Sequence, residues 1–318
     1  MNEYITKKNN EYFINKKKII NKNILNKISE IYIPPAYKNV KIYLNKNLLA
    51  TGINSAGRKQ YIYSEEQKNK REKKKYKQLY KLSKNIDKLK NKINNDLKIT
   101  EFTKDKLIAL ILKIMDLCNF RSGNKKYEEK YGSYGLTTLH KEHLIIGKNN
   151  IEINFIGKKG VNNNCIIKNK SIQDIIKKVY KLSNKNNSYL FSIKYKNNDI
   201  TISINDLNRY LDEFNITTKD LRTWNANIIF LKNFKKEIKN LDDFYILKDE
   251  DGKIKIRKKM IRESIKKTAK SLHHSPTICK NSYILKNILI QIENNNNILN
   301  KFKNKNNENL LRYFLNKN

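Results

Sequence analysis

At Ser64 the chain changes character. Short alternating apolar stretches give way to an unbroken charged run, Glu65-Glu66-Gln67-Lys68-Asn69-Lys70-Arg71-Glu72-Lys73-Lys74-Lys75. Leu79, Leu82, Ile86, Leu89 and Ile93 then recur at alternating three- and four-residue steps, which is one apolar stripe of a helix. This charged helix divides the chain into an N-terminal domain, residues 1–68, and a linker helix with a second domain, residues 69–318. Its basic stretch reads either as a solvated helix face or as a hinge lying close to phosphate.

The two sides of the divide carry different periods. Before it, Ile31-Tyr32-Ile33 runs into Pro34-Pro35, Val40-Lys41-Ile42-Tyr43-Leu44 alternates faces, and Gln60-Tyr61-Ile62-Tyr63 follows the turn Ser55-Ala56-Gly57; these are strand and turn signals. After it, Thr103 caps a helix running through Leu107, Ile111, Ile114 and Leu117 to about Phe120. Strands at Ile151–Ile156 and Cys165–Lys168 flank Gly157-Lys158-Lys159-Gly160 and a polar run, so they form a hairpin. Helices are expected at 172–182, 205–214, 220–234, 255–272 and 276–293, the last opened by a Ser275 cap and Pro276. Leu310-Leu311-Arg312-Tyr313-Phe314 would dock a final helix. The fold class is α+β: a small β-rich N-terminal domain, then a mainly α-helical domain with one small hairpin sheet.

Charge narrows the partner. The chain carries 68 Lys and Arg against 30 Asp and Glu, a formal +38, and a body so cationic repels itself unless a polyanion neutralises it. Counterion release on binding phosphates is the usual return. A membrane is the rival polyanion, but no stretch approaches the roughly 18 apolar residues of a span. Nucleic acid is the expected partner. Cys118, Cys165 and Cys279 form no Cys-x-x-Cys pair, and their odd number argues against a disulfide framework. No apolar signal-peptide core opens the chain, so an intracellular, reducing compartment is expected and secretion is not. There is no nucleotide-binding glycine loop and no zinc spacing. Asp249-Glu250-Asp251 reads as a charged loop without the spaced ligands of a calcium site. Neither metal nor cofactor is expected.

What remains is a set of residues on separate elements. Arg121 ends a helix in Asn119-Phe120-Arg121-Ser122-Gly123-Asn124-Lys125-Lys126-Tyr127, and Lys158 sits on the hairpin tip. Arg222 follows Lys219 in Lys219-Asp220-Leu221-Arg222-Thr223-Trp224, while His274 and Tyr283 lie in the stretch from His273 to Tyr283. Singly, each has a bland reading: a helix-end Arg caps carbonyls, a turn Lys is solvated, a helical Tyr is core. In this order they resemble the active site of type IB DNA topoisomerases of the small poxvirus kind. Ser133-Tyr134-Gly135-Leu136-Thr137-Thr138-Leu139 and Lys219-Asp220-Leu221-Arg222-Thr223 are especially close to that family's pattern, and the likeness runs from Ser55 to Tyr283.

The resemblance implies a chemistry that needs neither metal nor ATP. Tyr283 would attack a DNA phosphodiester and leave a 3′-phosphotyrosyl ester. Its reference pKa of about 10 makes it a poor nucleophile unless neighbouring cations favour the phenolate. Arg121 and Arg222 would offer planar charged forks to the non-bridging oxygens, and His274 a further hydrogen bond. Lys158 would protonate the leaving 5′ oxygen as general acid, with Lys219 a possible helper. Gln60, Tyr61 and Tyr63 match positions that contact DNA from the N-terminal domain, and Lys126 and Tyr127 match positions that read base edges. Asn227 is placed with these DNA-facing residues. Asn124 stands where poxvirus relatives tend to carry a Lys. The resemblance further implies a monomer closing as a clamp around double-stranded DNA, working in the cytoplasm at a site of viral replication or in the virion. A tyrosine recombinase or integrase shares the site logic, but typically has His-x-x-Arg where this chain has Lys219-x-x-Arg222. A non-catalytic basic DNA-binding protein would explain the charge and not the ordered set.

Overall fold

In the computed structural model, residues 4–8, 11–44, 47–183, 189–239, 250–295 and 298–316 are described. The chain divides into two compact units, Met1–Lys74 and Lys75–Asn318. The division falls inside the long charged helix.

The first unit is an antiparallel sheet whose strands are β1 (Ile5–Lys8), β2 (Glu11–Ile14), β3 (Lys17–Lys18), β4 (Lys38–Ile42), β5 (Leu48–Ile53) and β6 (Lys59–Tyr63), in the order β3-β2-β1-β4-β5-β6. Helix α1 (Lys22–Ser29) is capped by the Asn21 side chain, which accepts from the Asn23 and Ile24 amides. Its Ile28 joins Ile5, Ile19, Val40, Ile42 and Ala50 in the core of this unit, and Ile24, Leu25 and Ile62 pack against them.

Helix α2 (Glu65–Lys98) is 34 residues long, about 50 Å at the rise of an α-helix. Ser64 accepts from the Gln67 amide, and Glu65 and Glu66 complement the positive end of the helix dipole. The buried residues Leu79, Leu82, Ile86, Leu89 and Ile93 are the stripe read from the sequence.

The second unit is built around α3 (Lys104–Cys118), which the Thr103 hydroxyl caps and whose apolar side chains are almost all buried. Then follow α4 (Lys125–Tyr131), a three-stranded antiparallel sheet of β7 (Leu144–Ile146), β8 (Ile151–Gly157) and β9 (Val161–Ile167), and α5 (Lys170–Leu182). A small hairpin, β10 (Ser192–Tyr195) and β11 (Asn198–Thr201), precedes α6 (Ile204–Asp212), α7 (Thr218–Lys239) and α8 (Glu250–Ser271). The chain closes with a single turn α9 (Pro276–Ile278), then α10 (Lys286–Asn294), α11 (Ile298–Asn304) and α12 (Asn307–Asn316). Leu310, Leu311, Phe314 and Leu315 bury the last helix. Among the described residues no helix is long and apolar enough to cross a membrane, and no cluster of three or more His, Cys, Asp or Glu could hold a metal ion.

Several expectations are corrected. The helix expected over 276–293 is broken: α9 passes into a π-helical turn over Cys279–Tyr283, and Ile284 adopts an extended conformation before α10 begins. Strand β9 starts at Val161, opposite Gly157, so the polar run Asn162-Asn163-Asn164 is ladder rather than loop. Asn164 donates to Glu152 and to Asn154 across the strand pair, and the Asn163 side chain donates to the Val161 carbonyl. Glu250 and Asp251 open α8 instead of forming a loop, and Asp249 lies outside the described residues. Cys118 and Cys165 are bonded, with their Cα atoms 5.5 Å apart across 47 residues of chain; the expectation of no disulfide fails because α3 packs directly on β9. Cys279 is free and buried.

Candidate active site

Two helix ends meet beside Tyr283. Helix α3 stops at Asn119, whose left-handed conformation (φ 55°) lets its amide bond back to the Met115 carbonyl. Helix α8 stops in a Schellman turn: the His274 amide donates to the Ala269 carbonyl and the His273 amide to that of Lys270. His273 takes the left-handed position (φ 53°) that glycine usually fills. Its ring packs on Phe120 at 5.4 Å. These turns leave the carbonyls of Asn119 and Leu272 unused by their helices, and both accept from Arg222, through Nη1 and, at 2.5 Å, through Nη2. The negative ends of two helix dipoles thus hold one guanidinium.

Tyr283 lies in the pocket so formed. Its ring stacks on His274 with centroids 5.0 Å apart and planes within 8°, and the Arg222 guanidinium carbon is 5.4 Å from the ring centre. The Arg222 and Arg121 guanidiniums both lie close enough to the phenol to favour its ionised form. Burial would push the phenol up, but the charges of Arg222 and then Arg121 outweigh it and hold it below its ordinary value of about 10. The same surroundings act oppositely on His274: burial first, then the Arg222 charge, push it down to about 4. Burial also lowers Arg222 and pushes the Cys279 thiol up to about 12. Among the described residues no carboxylate pairs with either arginine. Arg222 Nε and His274 Nε2 are buried without any hydrogen-bond partner. Buried polar atoms are normally satisfied, so two orphans beside one cationic tyrosine pocket mark where an anion belongs.

The structure therefore brings together Arg121, Arg222, His274 and Tyr283, and leaves two expected members outside. Lys158 lies in the one-turn segment joining β8 to β9, exposed, with its ammonium 5.5 Å from the centre of the Tyr127 ring. Lys219 is exposed on the first turn of α7.

The DNA-facing set divides similarly. Lys126 and Tyr127 are exposed on α4, and Asn124, the departure from the poxvirus pattern, caps that helix by accepting from the Lys126 amide. On β6, Tyr61 and Tyr63 share a face and stack at 6.4 Å, with Arg71 lying 3.8 Å over Tyr63. Gln60 is on the opposite face with Ile62, its amide folded back on the Arg58 and Lys59 carbonyls.

Asn227 is corrected outright. It is 0% exposed, so it cannot touch DNA. Its amide nitrogen donates to the carbonyls of Thr223 and Tyr283, and its oxygen accepts from the Leu285 amide. Lys75 on α2 donates to the carbonyl of Ile284 between them. Together they fix the backbone that immediately follows the tyrosine, from its carbonyl to the Leu285 amide. Nothing in the residue type separated this role from a surface contact; the apolar neighbours Ile228, Ile229 and Phe230 were the available hint.

Backbone packing supports Arg121 as well. The Leu136 amide donates to the Arg121 carbonyl, and the Thr137 amide and hydroxyl both donate to that of Ser122. A Cβ on Gly135 would sit 2.4 Å from the Gly123 Cα, so this contact requires glycine.

Comparison with known proteins gives the same direction. The profile of the family described as "Eukaryotic DNA topoisomerase I, catalytic core" matches residues 64–310. The DNA topoisomerase 1B of Acanthamoeba polyphaga mimivirus is 33% identical over 300 residues, covering 92% of this chain and 87% of that one. The DNA topoisomerase 1 of Rabbit fibroma virus (strain Kasza) is 27% identical over 286 residues, 87% and 84% of the two chains. The DNA topoisomerase 1B of Vaccinia virus (strain Copenhagen) is 26% identical over 280 residues, 85% and 82%.

Proposed function

Because the chain belongs to the DNA topoisomerase I family, as a small viral-type IB enzyme, we propose that it relaxes duplex DNA by cutting one strand with Tyr283 and resealing it, without metal or ATP. The observation that carries this is the tyrosine pocket: a buried phenol held below its usual pKa by two guanidiniums, beside two orphaned nitrogens.

The chemistry follows from the residues. A phosphodiester entering the pocket brings the negative charge that the cluster lacks. Its non-bridging oxygens take the Arg121 and Arg222 donors, including the unused Arg222 Nε. These donors gain most as charge gathers on the trigonal-bipyramidal phosphorus. His274 Nδ1 faces the Ser275 carbonyl at 3.3 Å; with a proton there, Nε2 donates only from the imidazolium. The phosphate favours that form by offsetting the arginine charge. Tyr283 gives up its phenolic proton to solvent, helped by the two guanidiniums that favour the phenolate; Oη then bonds to phosphorus, the bond to the 5′ oxygen breaks, and that oxygen takes a proton from Lys158 Nζ. The 3′-phosphotyrosyl ester keeps the energy of the broken bond, so the 5′ hydroxyl reverses the step unaided. Lys158 leaves Tyr127 to do this, from an exposed turn in which Gly160 sits at φ 73° and Lys159 at φ 68°. Lys219 is the alternative donor. Gln60, Tyr61, Tyr63, Lys126 and Tyr127 are the proposed DNA contacts. The enzyme would act as a monomer clamped on the duplex, in the cytoplasm at a site of viral replication or in the virion.

Supercoiled plasmid and excess EDTA test this. Wild type relaxes the plasmid and traps as protein on a 3′ phosphate with a free 5′ hydroxyl. Tyr283→Phe binds the same DNA and forms no adduct. An adduct on the 5′ end, or relaxation only with a divalent ion, would refute the mechanism.

A further inference from the structure

We infer that Glu128, anchored by His140 and Tyr189, is a positioning residue: it sets the rotation of α4, and thereby where Tyr127 holds the Lys158 ammonium before proton transfer. The inference rests on the reading of Lys158 as the proton donor.

Helix α4 cannot hold itself in place. It has seven residues, none buried, and so short a helix is marginal without tertiary support. Asn124 and Gly132 close its two ends, but neither fixes which face turns inward. Glu128 does. It is the one residue of α4 that is not exposed, with its side chain only 12% accessible. One carboxylate oxygen pairs with His140 Nε2 at 2.8 Å, and the other accepts from the Tyr189 hydroxyl at 2.6 Å.

The receiving platform is rigid. His140 and Tyr189 are opposed across an isolated β-bridge, and the Leu190 amide donates to the Leu139 carbonyl. The His140 ring sits edge-on between Tyr134 at 5.1 Å and Tyr189 at 5.3 Å. Its own amide donates to His143 Nδ1. From Tyr134 the platform continues into the catalytic hairpin, where the Tyr134 amide donates to the Ile156 carbonyl, two residues before Lys158.

An apolar residue at 128 would press α4 against the body and let it roll. A carboxylate with each oxygen given its own directional partner does not. Rolling by one residue is about 100°, enough to swing the neighbouring Tyr127 ring away from Lys158 and from the groove that Lys126 and Tyr127 are proposed to read. In a chain this basic, directing a carboxylate at a histidine and a tyrosine rather than at a lysine also leaves Lys158 without an acidic partner among the described residues, and so able to depart for the 5′ oxygen.

Single-turnover cleavage at saturating DNA, on an ordinary duplex and on one with a 5′-bridging phosphorothiolate at the scissile bond, tests this. A thiolate leaves without a proton, so it bypasses Lys158 and whatever acts through it. Glu128→Ala should lose about tenfold on the ordinary strand, the scale of one cation–π or hydrogen-bond contact, and regain nearly wild-type rate on the sulfur strand. Glu128→Gln keeps an acceptor for Tyr189 and an amide for His140, and should stay close to wild type on both. Tyr189→Phe, which removes one hydroxyl, should show a smaller loss with the same sulfur rescue, and guards against a folding defect in the alanine variant. If Lys158→Ala is rescued by sulfur while Glu128→Ala and Tyr189→Phe remain slow on both strands, Glu128 does not act through Lys158 and the inference falls alone. If Lys158→Ala is not rescued, the proton-donor reading falls and takes the inference with it.

Discussion

Asn227→Ala separates a residue that shapes the site from one that reads DNA. The substitution removes three hydrogen bonds of 2.8, 2.9 and 3.0 Å in a fully buried position. Thr223 is within α7 and one turn away, so its carbonyl keeps a helical partner. The Tyr283 carbonyl and the Leu285 amide do not. Each buried orphan costs about 1–3 kcal/mol, so the unfolding free energy should fall by about 2–6 kcal/mol if the backbone stays where it is. The chain can escape part of that by letting residues 283–285 shift, and then the loss appears in chemistry: about 1 Å of misplacement costs on the order of 100-fold in rate. Denaturant unfolding gives the first quantity and single-turnover adduct formation at saturating DNA the second. Non-covalent affinity, measured in a Tyr283→Phe background, should not change. Weaker binding, with cleavage fully restored at high DNA concentration, would refute the positioning role and return Asn227 to the DNA interface. A variant as stable and as fast as wild type would refute both.

Other expectations follow from the same pocket. Arg222→Ala should lose about 3–4 kcal/mol of transition-state stabilisation and Arg222→Lys should recover only part, since an ammonium cannot span two carbonyls and still serve phosphate; a fully active lysine variant in relaxation assays would show that guanidinium shape is irrelevant. His274 is held near 4 when folded against about 6.5 unfolded. The unfolded chain therefore takes up the proton first as pH falls, and the stability this group contributes above 6.5 drains away between about 6.5 and 4. Melting temperature of the free enzyme should drop across that window less steeply in His274→Gln than in wild type; identical slopes would contradict the assignment. Closing a 47-residue loop is worth about 4 kcal/mol in the chain-entropy account, so Cys118→Ser with Cys165→Ser should lower the unfolding free energy by that order, and two reactive thiols at these positions in native protein would exclude the bond.

Residue order and residue type singled out the four residues that meet in the pocket, because arginines and histidines are few in this chain and the order of the set is distinctive, although tyrosine, with 19 copies, is common. What sequence could not convey was geometry set through space. Tyr283 reads as mid-helix because an apolar period does not distinguish an i→i+4 turn from an i→i+5 one. Helix α4 was invisible to periodicity: Lys125-Lys126-Tyr127-Glu128-Glu129-Lys130-Tyr131 has no apolar stripe, although Asn124 before it and Gly132 after it are ordinary cap signals. Asn162-Asn163-Asn164 read as loop because Asn is depleted in strands, whereas here side-chain bonds to Glu152 and Asn154 offset that preference. The Cys118–Cys165 bond joins residues whose nearness depends on α3 crossing β9, which no local pattern announces.

The π-turn at Cys279–Tyr283 has a consequence for how this chain can vary over generations. The Ile284 amide reaches back five residues to Cys279, one more than an α-helix uses. Such a turn holds a single surplus residue, so the angular phase of Tyr283 depends on a count rather than on the identity of Lys280, Asn281 or Ser282. Those three positions should drift freely in composition. Deleting any one would restore a regular helix and swing the tyrosine by about 100°, out of the arginine pocket. Relatives that share this turn should therefore keep the length of that segment while changing its letters.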